Sequence, residues 1–319
     1  MSFSSITKNE LSRIPVEDKC CEIAELAALV RMNGLIQISG KGKINLRFST
    51  ENAAIARRIF SLLKRLYNID IEVMVRKNKQ LKKNNNYLIV VNSTEYTRKI
   101  LNDVGIFNTE KSRIFRINYS IPESVIKNRC CKRSYIRAAF LGGGSISNPE
   151  KTYHLEFVTS SEEHAKDLSK LINSFGLNSK IVLRKENYVV YIKEGEHIVD
   201  LLNIMGAHSA LLRLEDIRVL KEIRNNINRL VNCETANLEK TIDASLKQIE
   251  NIEYIDSVIG LNKLPKNLAD LAYLRLKHRD ASLKDLGTML DPQVGKSGVN
   301  HRFRKIEEIA DNLRKGRGN

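Results

Sequence analysis

Residues Arg133-Ser-Tyr-Ile-Arg-Ala-Ala-Phe-Leu-Gly-Gly-Gly-Ser-Ile-Ser147 carry the strongest structural signal in the chain. A helix-compatible run of small and apolar residues ends in three glycines, and a strand-like segment follows. Glycine inside a helix costs about 1 kcal/mol relative to alanine, so a run of it belongs at a helix end or where another backbone comes close. Ala138, Ala139, Gly142 and Gly143 recur at i, i+4 spacing and form a smooth stripe. Such a stripe lets a second helix approach with almost no side chain in between. The stretch therefore predicts a closely packed helix pair.

Internal repetition supplies the partner. Cys20-Cys21 matches Cys130-Cys131, and Glu25–Ile36 aligns with Tyr135–Ile146 at the same offset of 110. Leu46-Arg-Phe48 aligns with Leu155-Glu-Phe157, and Val75-Arg-Lys77 with Leu183-Arg-Lys185. Ile59, Leu62, Leu63 and Leu66 align with Leu168, Leu171, Ile172 and Phe175. Residues 20–109 and 130–208 thus form two copies of one unit, each reading helix, two strands, helix, two strands, helix. In the first copy, Ile23, Leu26, Ala27 and Val30 give a helical face over Glu17–Met32. Leu35–Ser39 and Ile44–Ser49 alternate as strands around Gly40-Lys41-Gly42. Asn52–Tyr67 and Glu95–Val104 read as helices on either side of two further strands, which a polar loop over Lys77–Asn86 separates. The second copy places helices at Ser161–Phe175 and Glu196–Met205, with strands at Lys180–Arg184 and Tyr188–Ile192. Ala24, Ala27 and Ala28 are expected to face Ala138, Ala139 and Gly142.

Between the copies, a bridge over 111–129 is basic, with Lys111, Arg113, Arg116, Lys127 and Arg129 against the single acid Glu123. Beyond the copies, Ala207–Ile259 contains neither Gly nor Pro, and Leu211, Leu214, Ile217, Leu220, Ile223, Ile227 and Leu230 recur at helical spacing. One or two long helices are expected as a linker over 209–262. Gly260–Pro265 marks a boundary, and residues 263–319 carry thirteen lysines and arginines against seven acids. Helices are expected from Pro265 to about Lys277, over Leu283–Leu290 with Ser282 as cap, and from Gly298 to about Lys315 with Ser297 as cap. Two helices joined by a short break read as a helix-turn-helix, with Ala281, Leu283, Leu286, Leu290, Val299, Phe303 and Ile306 as its small core. Lys296, Ser297, Asn300, His301, Arg302, Arg304 and Lys305 are left for the outer face. Arg and Asn suit the edges of G and A, and a helix N-terminus suits a phosphate.

The 319 residues carry a net charge of +16, which points to a polyanionic partner, most commonly nucleic acid, and the helix-turn-helix reading makes double-stranded DNA the expected one. No apolar run approaches the length of a membrane span. The N-terminus lacks a secretory pattern, so a cytoplasmic location is expected, with DNA binding associating the chain with the nucleoid. No Cys-x-x-Cys occurs, and no histidine sits at ligand spacing, so Cys20, Cys21, Cys130, Cys131 and Cys233 read as reduced, buried small side chains rather than a zinc site. The Gly-Gly-Gly-Ser at 142–145 follows a helix and lacks the Lys-Ser/Thr of a phosphate loop.

A duplicated helix that ends in small residues and glycine before strand–strand–helix–strand–strand resembles the LAGLIDADG homing endonuclease fold. In that family the two signature helices pack at a pseudo-twofold axis, and an acid just before each final Gly binds the metal for strand cleavage. Laid on Leu26–Gly34 and Ile136–Gly144, those positions are Asn33 and Gly143. Two-metal cleavage needs carboxylates, so the resemblance implies a scaffold that has lost its metal-binding acids. The pair followed by Ser282–Ile306 is similar to the bacterial WhiA family, whose C-terminal domain resembles region 4 of sigma factors. Val294-Gly295 departs from that family's usual bulkier or more polar turn.

The resemblance implies an α+β fold: a tandem pseudo-twofold LAGLIDADG-like repeat, a long helical linker and an all-α helix-turn-helix domain. The expected domains are 1–110, the bridge 111–129, 130–208, the linker 209–262 and 263–319. The implied function is a non-enzymatic DNA-binding regulator in cell division, chromosome segregation or sporulation transcription. Secondary DNA contacts are expected from Lys43, Asn45, Arg47, Arg129, Lys132 and Arg133. No catalytic residue, metal, cofactor, membrane or small-molecule substrate is expected. Another transcription or division regulator is left open as a partner. A residual metal-dependent endonuclease and a protein-binding adaptor with secondary DNA binding are the alternative readings.

Overall fold

The computed structural model describes residues 2–16, 18–77, 85–107 and 117–316. The expected bridge residues Lys111, Arg113 and Arg116, and most of the expected Lys77–Asn86 loop, lie outside the described residues. The chain divides into two compact units, 1–221 and 222–319.

The N-terminal unit starts with α1 (Phe3–Leu11), which the sequence reading did not anticipate. The first copy follows as α2 (Lys19–Asn33), β1 (Gly34–Ser39), β2 (Lys43–Thr50), α3 (Ala53–Tyr67), β3 (Glu72–Lys77), β4 (Asn85–Val91) and α4 (Thr94–Asp103). The second is α5 (Arg129–Gly143), β5 (Gly144–Ile146), β6 (Leu155–Thr159), α6 (Glu162–Asn173), β7 (Lys180–Arg184), β8 (Asn187–Ile192) and α7 (Gly195–Met205). The sheet orders β1-β2-β4-β3 and β5-β6-β8-β7 are the same antiparallel topology twice. Alternation sets the faces: Ile44, Leu46 and Phe48 of β2 are buried, as are Leu155 and Phe157 of β6. Side-chain caps start the inner helices, with Asn52 Oδ1 accepting from Ala54 N at 2.8 Å and Ser161 Oγ from His164 N at 3.2 Å.

The smooth stripe does what its composition requires. Ala24, Ala27 and Ala28 of α2 and Ala138 and Ala139 of α5 are fully buried in one shared core. The two helices run parallel. Near their N-termini the Cys21 and Cys131 sulfurs are 4.0 Å apart, and near their C-termini Gly142 lies against Met32. A Cβ on Gly142 would come within 2.7 Å of the Met32 Cβ, so the approach depends on glycine there.

Polar groups break the symmetry of this core. Glu25 of α2 is fully buried and accepts from Arg58 of α3 at 2.7, 2.8 and 3.0 Å, and from Arg137 of α5 at 3.4 Å. Arg58 also donates to the carbonyls of Ser12 and Ile14, and Arg137 to that of Met205 at 2.8 Å. At the matching place on α5 stands Tyr135, whose hydroxyl shares a 2.8 Å hydrogen bond with His164 Nε2. His164 Nδ1 meets Thr159 Oγ1 at 3.2 Å. Burial, and to a lesser degree the charge of Arg31, push the His164 pKa down to about 3. The unfolded chain therefore takes up a proton near pH 6.5 that the folded chain refuses until about pH 3. The contribution is complete above the unfolded value and shrinks as pH falls through this window, by at most about 1.4 kcal/mol per pH unit. We expect the urea midpoint of the N-terminal unit to drop from pH 7 to pH 4.5, and His164→Gln to make that drop shallower. Equal slopes in the two proteins would show that His164 ionises freely in the fold.

A single helix, α8 (His208–Ile259, 52 residues), occupies the expected linker. Its first N–H groups are capped by Glu10 of α1, which accepts from Ser209 N at 2.7 Å and Ala210 N at 3.0 Å. Helical spacing located this helix but not a buried face. Leu214 is buried, whereas Leu220, Ile223, Ile227 and Leu230 are exposed. Toward its C-terminal end, Ile252 and Ile255 belong to the core of the second unit.

That unit adds α9 (Lys266–Lys277), α10 (Leu283–Met289) and α11 (Lys296–Gly316). The expected core residues Leu286, Leu290, Val299, Phe303 and Ile306 are buried. A capping box starts α10: Ser282 Oγ accepts from Asp285 N at 3.2 Å, and Asp285 Oδ2 accepts from Ser282 N at 3.3 Å. α11 begins at Lys296 rather than Gly298, so Ser297 lies within its first turn instead of capping it. The turn before it packs tightly: Val294 N donates to the Gly287 carbonyl at 3.0 Å, and a Cβ on Gly287 would fall 2.1 Å from the Val294 carbonyl oxygen. Gly287→Ala is expected to cost this unit about 2 kcal/mol through overpacking against backbone. A melting curve superimposable on that of the unaltered chain would contradict it.

Candidate nucleic-acid interface

The helix-turn-helix brings most of the expected residues onto one surface. Along α11, Val299, Phe303, Ile306 and Ala310 face the core. The 100° step per residue then puts Ser297, Asn300, His301, Arg304 and Lys305 on the opposite arc, and all five are exposed, as is Lys296. The first acid in the helix is Glu307, which Lys247 engages at 2.5 Å. Asn300 and Arg304 also border a shallow cleft of about 190 Å³ with Lys247, Gln248 and Asn251 of α8.

Arg302 is a correction. It is half-buried and donates to the Asn267 carbonyl at 3.3 Å, so it holds α11 against α9 instead of joining the outer face. Arg275, one of the thirteen cations counted in this segment, is buried as well. It donates to the carbonyls of Ala281 at 2.7 Å and Arg279 at 3.0 Å, and stacks over Phe303 at 5.4 Å. Its role is to shape the connection between α9 and α10.

In the N-terminal unit the secondary residues fall into two separate groups. Lys43, Asn45 and Arg47 share the face of β2 opposite Ile44, Leu46 and Phe48. Arg129, Lys132 and Arg133 occupy the first turns of α5, whose C-terminal end runs into β5. A 15-residue helix is about 22 Å long, so this group sits far from the sheet end of α5. Two of the three are also engaged structurally. Arg133 donates to the Ile204 carbonyl at 2.8 Å and the Asn203 carbonyl at 3.4 Å, at the end of α7, and Arg129 stacks over Phe175 at 5.5 Å. Arg31, not singled out in the sequence, is buried among the carbonyls of Val104 (2.9 Å), Gly105 (3.3 Å) and Ser120 (2.9 Å).

At the C-terminal ends of α2 and α5, the aligned metal-acid positions hold Asn33 and Gly143. Asn33 Oδ1 is buried without a hydrogen-bond partner. A Cβ on Gly143 would lie 2.8 Å from the Val158 carbonyl oxygen and 2.4 Å from Met32 Cε, so a side chain does not fit as the backbone stands. Among the described residues, no group of three acids or histidines gathers here.

The opposite ends of the same helices hold a group that sequence spacing missed. The sulfurs of Cys20, Cys21, Cys130 and Cys131 all lie within 4.8 Å of one another. Cys21 and Cys131 are buried as expected, whereas Cys20, Cys130 and Cys233 are exposed. Local spacing cannot reveal this cluster, because each pair is completed from the other repeat. The signal that finds it is the repeat alignment, which sets both pairs at matching positions of two paired helices.

Comparison with known proteins accords with this architecture. Residues 19–107 match the WhiA N-terminal LAGLIDADG-like domain, 132–224 the WhiA LAGLIDADG-like domain and 227–310 the WhiA C-terminal HTH domain. The chain is 59% identical over 314 residues to a probable cell division protein WhiA of Alkaliphilus metalliredigens, covering 98% of this chain and 99% of that one. It is 61% identical over 317 residues to the protein of the same description from Thermoanaerobacter pseudethanolicus, covering 99% of each. The crystal structure of full-length DUF199/WhiA from Thermatoga maritima matches with a TM-score of 0.60 at 26% identity, covering 98% of this chain and 99% of that one. With both LAGLIDADG-like domains and the C-terminal HTH domain matched in order, and relatives 59% and 61% identical over almost the whole chain, the chain belongs to the WhiA family.

Proposed function

We propose that the protein is a nucleoid-associated, double-stranded DNA-binding regulator without nuclease activity, and that α11 is its recognition helix. The observation that carries this reading is the acid-free arc at the start of α11, which exposes Ser297, Asn300, His301, Arg304 and Lys305 together. Ser297, Lys305 and the helix N-terminus suit phosphates, and Asn300 and Arg304 suit base edges in a major groove. The face of β2 bearing Lys43, Asn45 and Arg47 supplies further backbone contacts. The relatives' description as probable cell division proteins supports a role in division, with chromosome segregation and sporulation transcription as the finer alternatives. The absence of nuclease activity is supported by the neutral Asn33 and the closed position at Gly143.

Arg304→Ala with Lys305→Ala is the direct test. Both side chains are exposed, so the fold should survive. Affinity for a genomic binding fragment is expected to fall about 10- to 100-fold, and the slope of log K against log salt by one to two units. Arg302→Ala should leave that slope unchanged while lowering thermal stability. An unaltered slope in the double variant would remove α11 from the interface. Unchanged chromosomal occupancy of that variant in cells would favour the adaptor reading, in which the repeat domain binds protein. This comparison is cleaner than deleting residues 281–319, because α10 and α11 share one core with α9 and the end of α8.

A further inference from the structure

The thiols at the N-terminal ends of α2 and α5 are arranged as a set of four donors. Cys20 and Cys21 sit in the first turn of α2, Cys130 and Cys131 in the first turn of α5, and the helices run parallel with these ends together. All four sulfurs lie within 4.8 Å of one another, and Cys21 Sγ and Cys131 Sγ are 4.0 Å apart. A tetrahedral zinc ion with bonds of about 2.3 Å spaces its four sulfurs about 3.8 Å apart. Small side-chain rotations close the remaining difference. A multi-iron cluster holds its thiolates farther apart than a single ion does, so this spacing selects a mononuclear site.

The surroundings suit a site that becomes negatively charged on binding. Two helix N-termini converge on it, and each favours negative charge. Neither N-cap side chain, Asp18 on α2 or Asn128 on α5, hydrogen-bonds into its helix. The caps of α3, α4, α6 and α10 do so, whereas those of α7 and α9 do not. No cap side chain therefore competes with sulfur for the first-turn N–H groups, of which that of Cys21 bonds the Asp18 carbonyl at 3.0 Å. Lys19, Arg129, Lys132 and Arg133 are sequence neighbours of the four cysteines. Half of the donor set is shielded and half open: Cys21 and Cys131 are buried, Cys20 and Cys130 exposed. A cleft of about 280 Å³, lined by Pro15, Val16, Asp18, Cys21, Cys130 and Arg133, leads to it from solvent. Ion entry requires no opening of the fold.

We propose that Cys20, Cys21, Cys130 and Cys131 bind one zinc ion as a tetrathiolate site that clasps the two repeats together at the N-terminal ends of their paired helices. Zinc binding releases thiol protons to solvent and changes no oxidation state. Because the ligands come from positions 110 residues apart, the ion closes a long loop, and its binding energy adds to folding stability.

The full-length chain, purified under anaerobic reducing conditions, is expected to contain one zinc per molecule by elemental analysis. After exchange it should take up one cobalt ion with the intense visible bands and sulfur-to-metal charge transfer of a tetrahedral thiolate site. Chelation should lower the melting temperature by at least about 5 °C. Cys20→Ser with Cys130→Ser alters only exposed side chains, so it should keep the circular dichroism of the parent, lose the cobalt bands and stop responding to chelator. Should that variant fail to fold, metal content and cobalt titration of the unaltered chain still decide the question. No stoichiometric zinc together with no cobalt spectrum would overturn the proposal. So would unchanged cobalt binding in the folded double variant, or an intact mass lower by two hydrogens per bridge, which would identify disulfides.

Discussion

Replacing Glu25 with alanine is expected to destabilise the N-terminal unit by about 3–5 kcal/mol, a large share of the roughly 5–15 kcal/mol that holds a domain folded. The carboxylate has 0% exposure and lies between the Arg58 fork and Arg137. Its removal strands two guanidinium groups in a core where they retain only carbonyl acceptors. The large effect comes from the unpaired charges left behind, not from the net worth of the ion pairs. Glu25→Met combined with Arg58→Met and Arg137→Met should therefore recover much of the loss. Recovery should stop short of complete, because both arginines also bind carbonyls, those of Ser12 and Met205. Urea unfolding followed by circular dichroism reads both variants. A loss below about 1 kcal/mol for Glu25→Ala would mean that water reaches the pair.

Returning acids to the aligned nuclease positions, with Asn33→Asp and Gly143→Asp, is expected to produce a less stable protein and no enzyme. The new Cβ at 143 meets Met32 Cε at 2.4 Å and the Val158 carbonyl oxygen at 2.8 Å. Met32 is flexible and can swing aside, but the Val158 carbonyl belongs to the β6 backbone. Overpacking, together with a carboxylate set against a carbonyl oxygen, should cost about 3 kcal/mol. Adding Met32→Ala should relieve only part of it. Plasmid incubated with this variant and Mg²⁺ or Mn²⁺ is expected to stay supercoiled. Nicking that a chelator abolishes would show instead that the scaffold lacks nothing but its carboxylates.

Periodicity made the repeat units legible because burial on one face is written into alternation and helical spacing. Phe48 and Phe157 fall in the core as their strand patterns require, and Ala24, Ala27 and Ala28 share one core with Ala138 and Ala139, as the small-residue stripes imply. Charged residues were less legible, because a sequence shows that a charge is present but not which way it points. Arg31, Arg133, Arg275 and Arg302 all count toward a basic surface, yet each turns to backbone carbonyls at helix ends or connections. The cysteine quartet escaped for a different reason. Ligand spacing is a local rule, and here the pairing is long-range. The exposed stripe of α8 shows the converse, since helical spacing of apolar residues marks a helix even where nothing covers it.

Glu25 and Tyr135 occupy matching positions on two helices related by a pseudo-twofold, and both are fully buried. One is an acid held by Arg58 of its own repeat and also reached, at 3.4 Å, by Arg137 of the other; the other is a neutral phenol paired with His164 within its own repeat. A dimer of two first repeats would bring two carboxylates to the axis, each with its own Arg58 but without Arg137. A dimer of two second repeats would bury Arg137 with no acid opposite. Each half is therefore better matched to the other than to its own copy. The ancestral symmetry survives in the backbone, but the interchangeability of the halves does not. Carrying both in one chain guarantees the one-to-one meeting that their cores now demand.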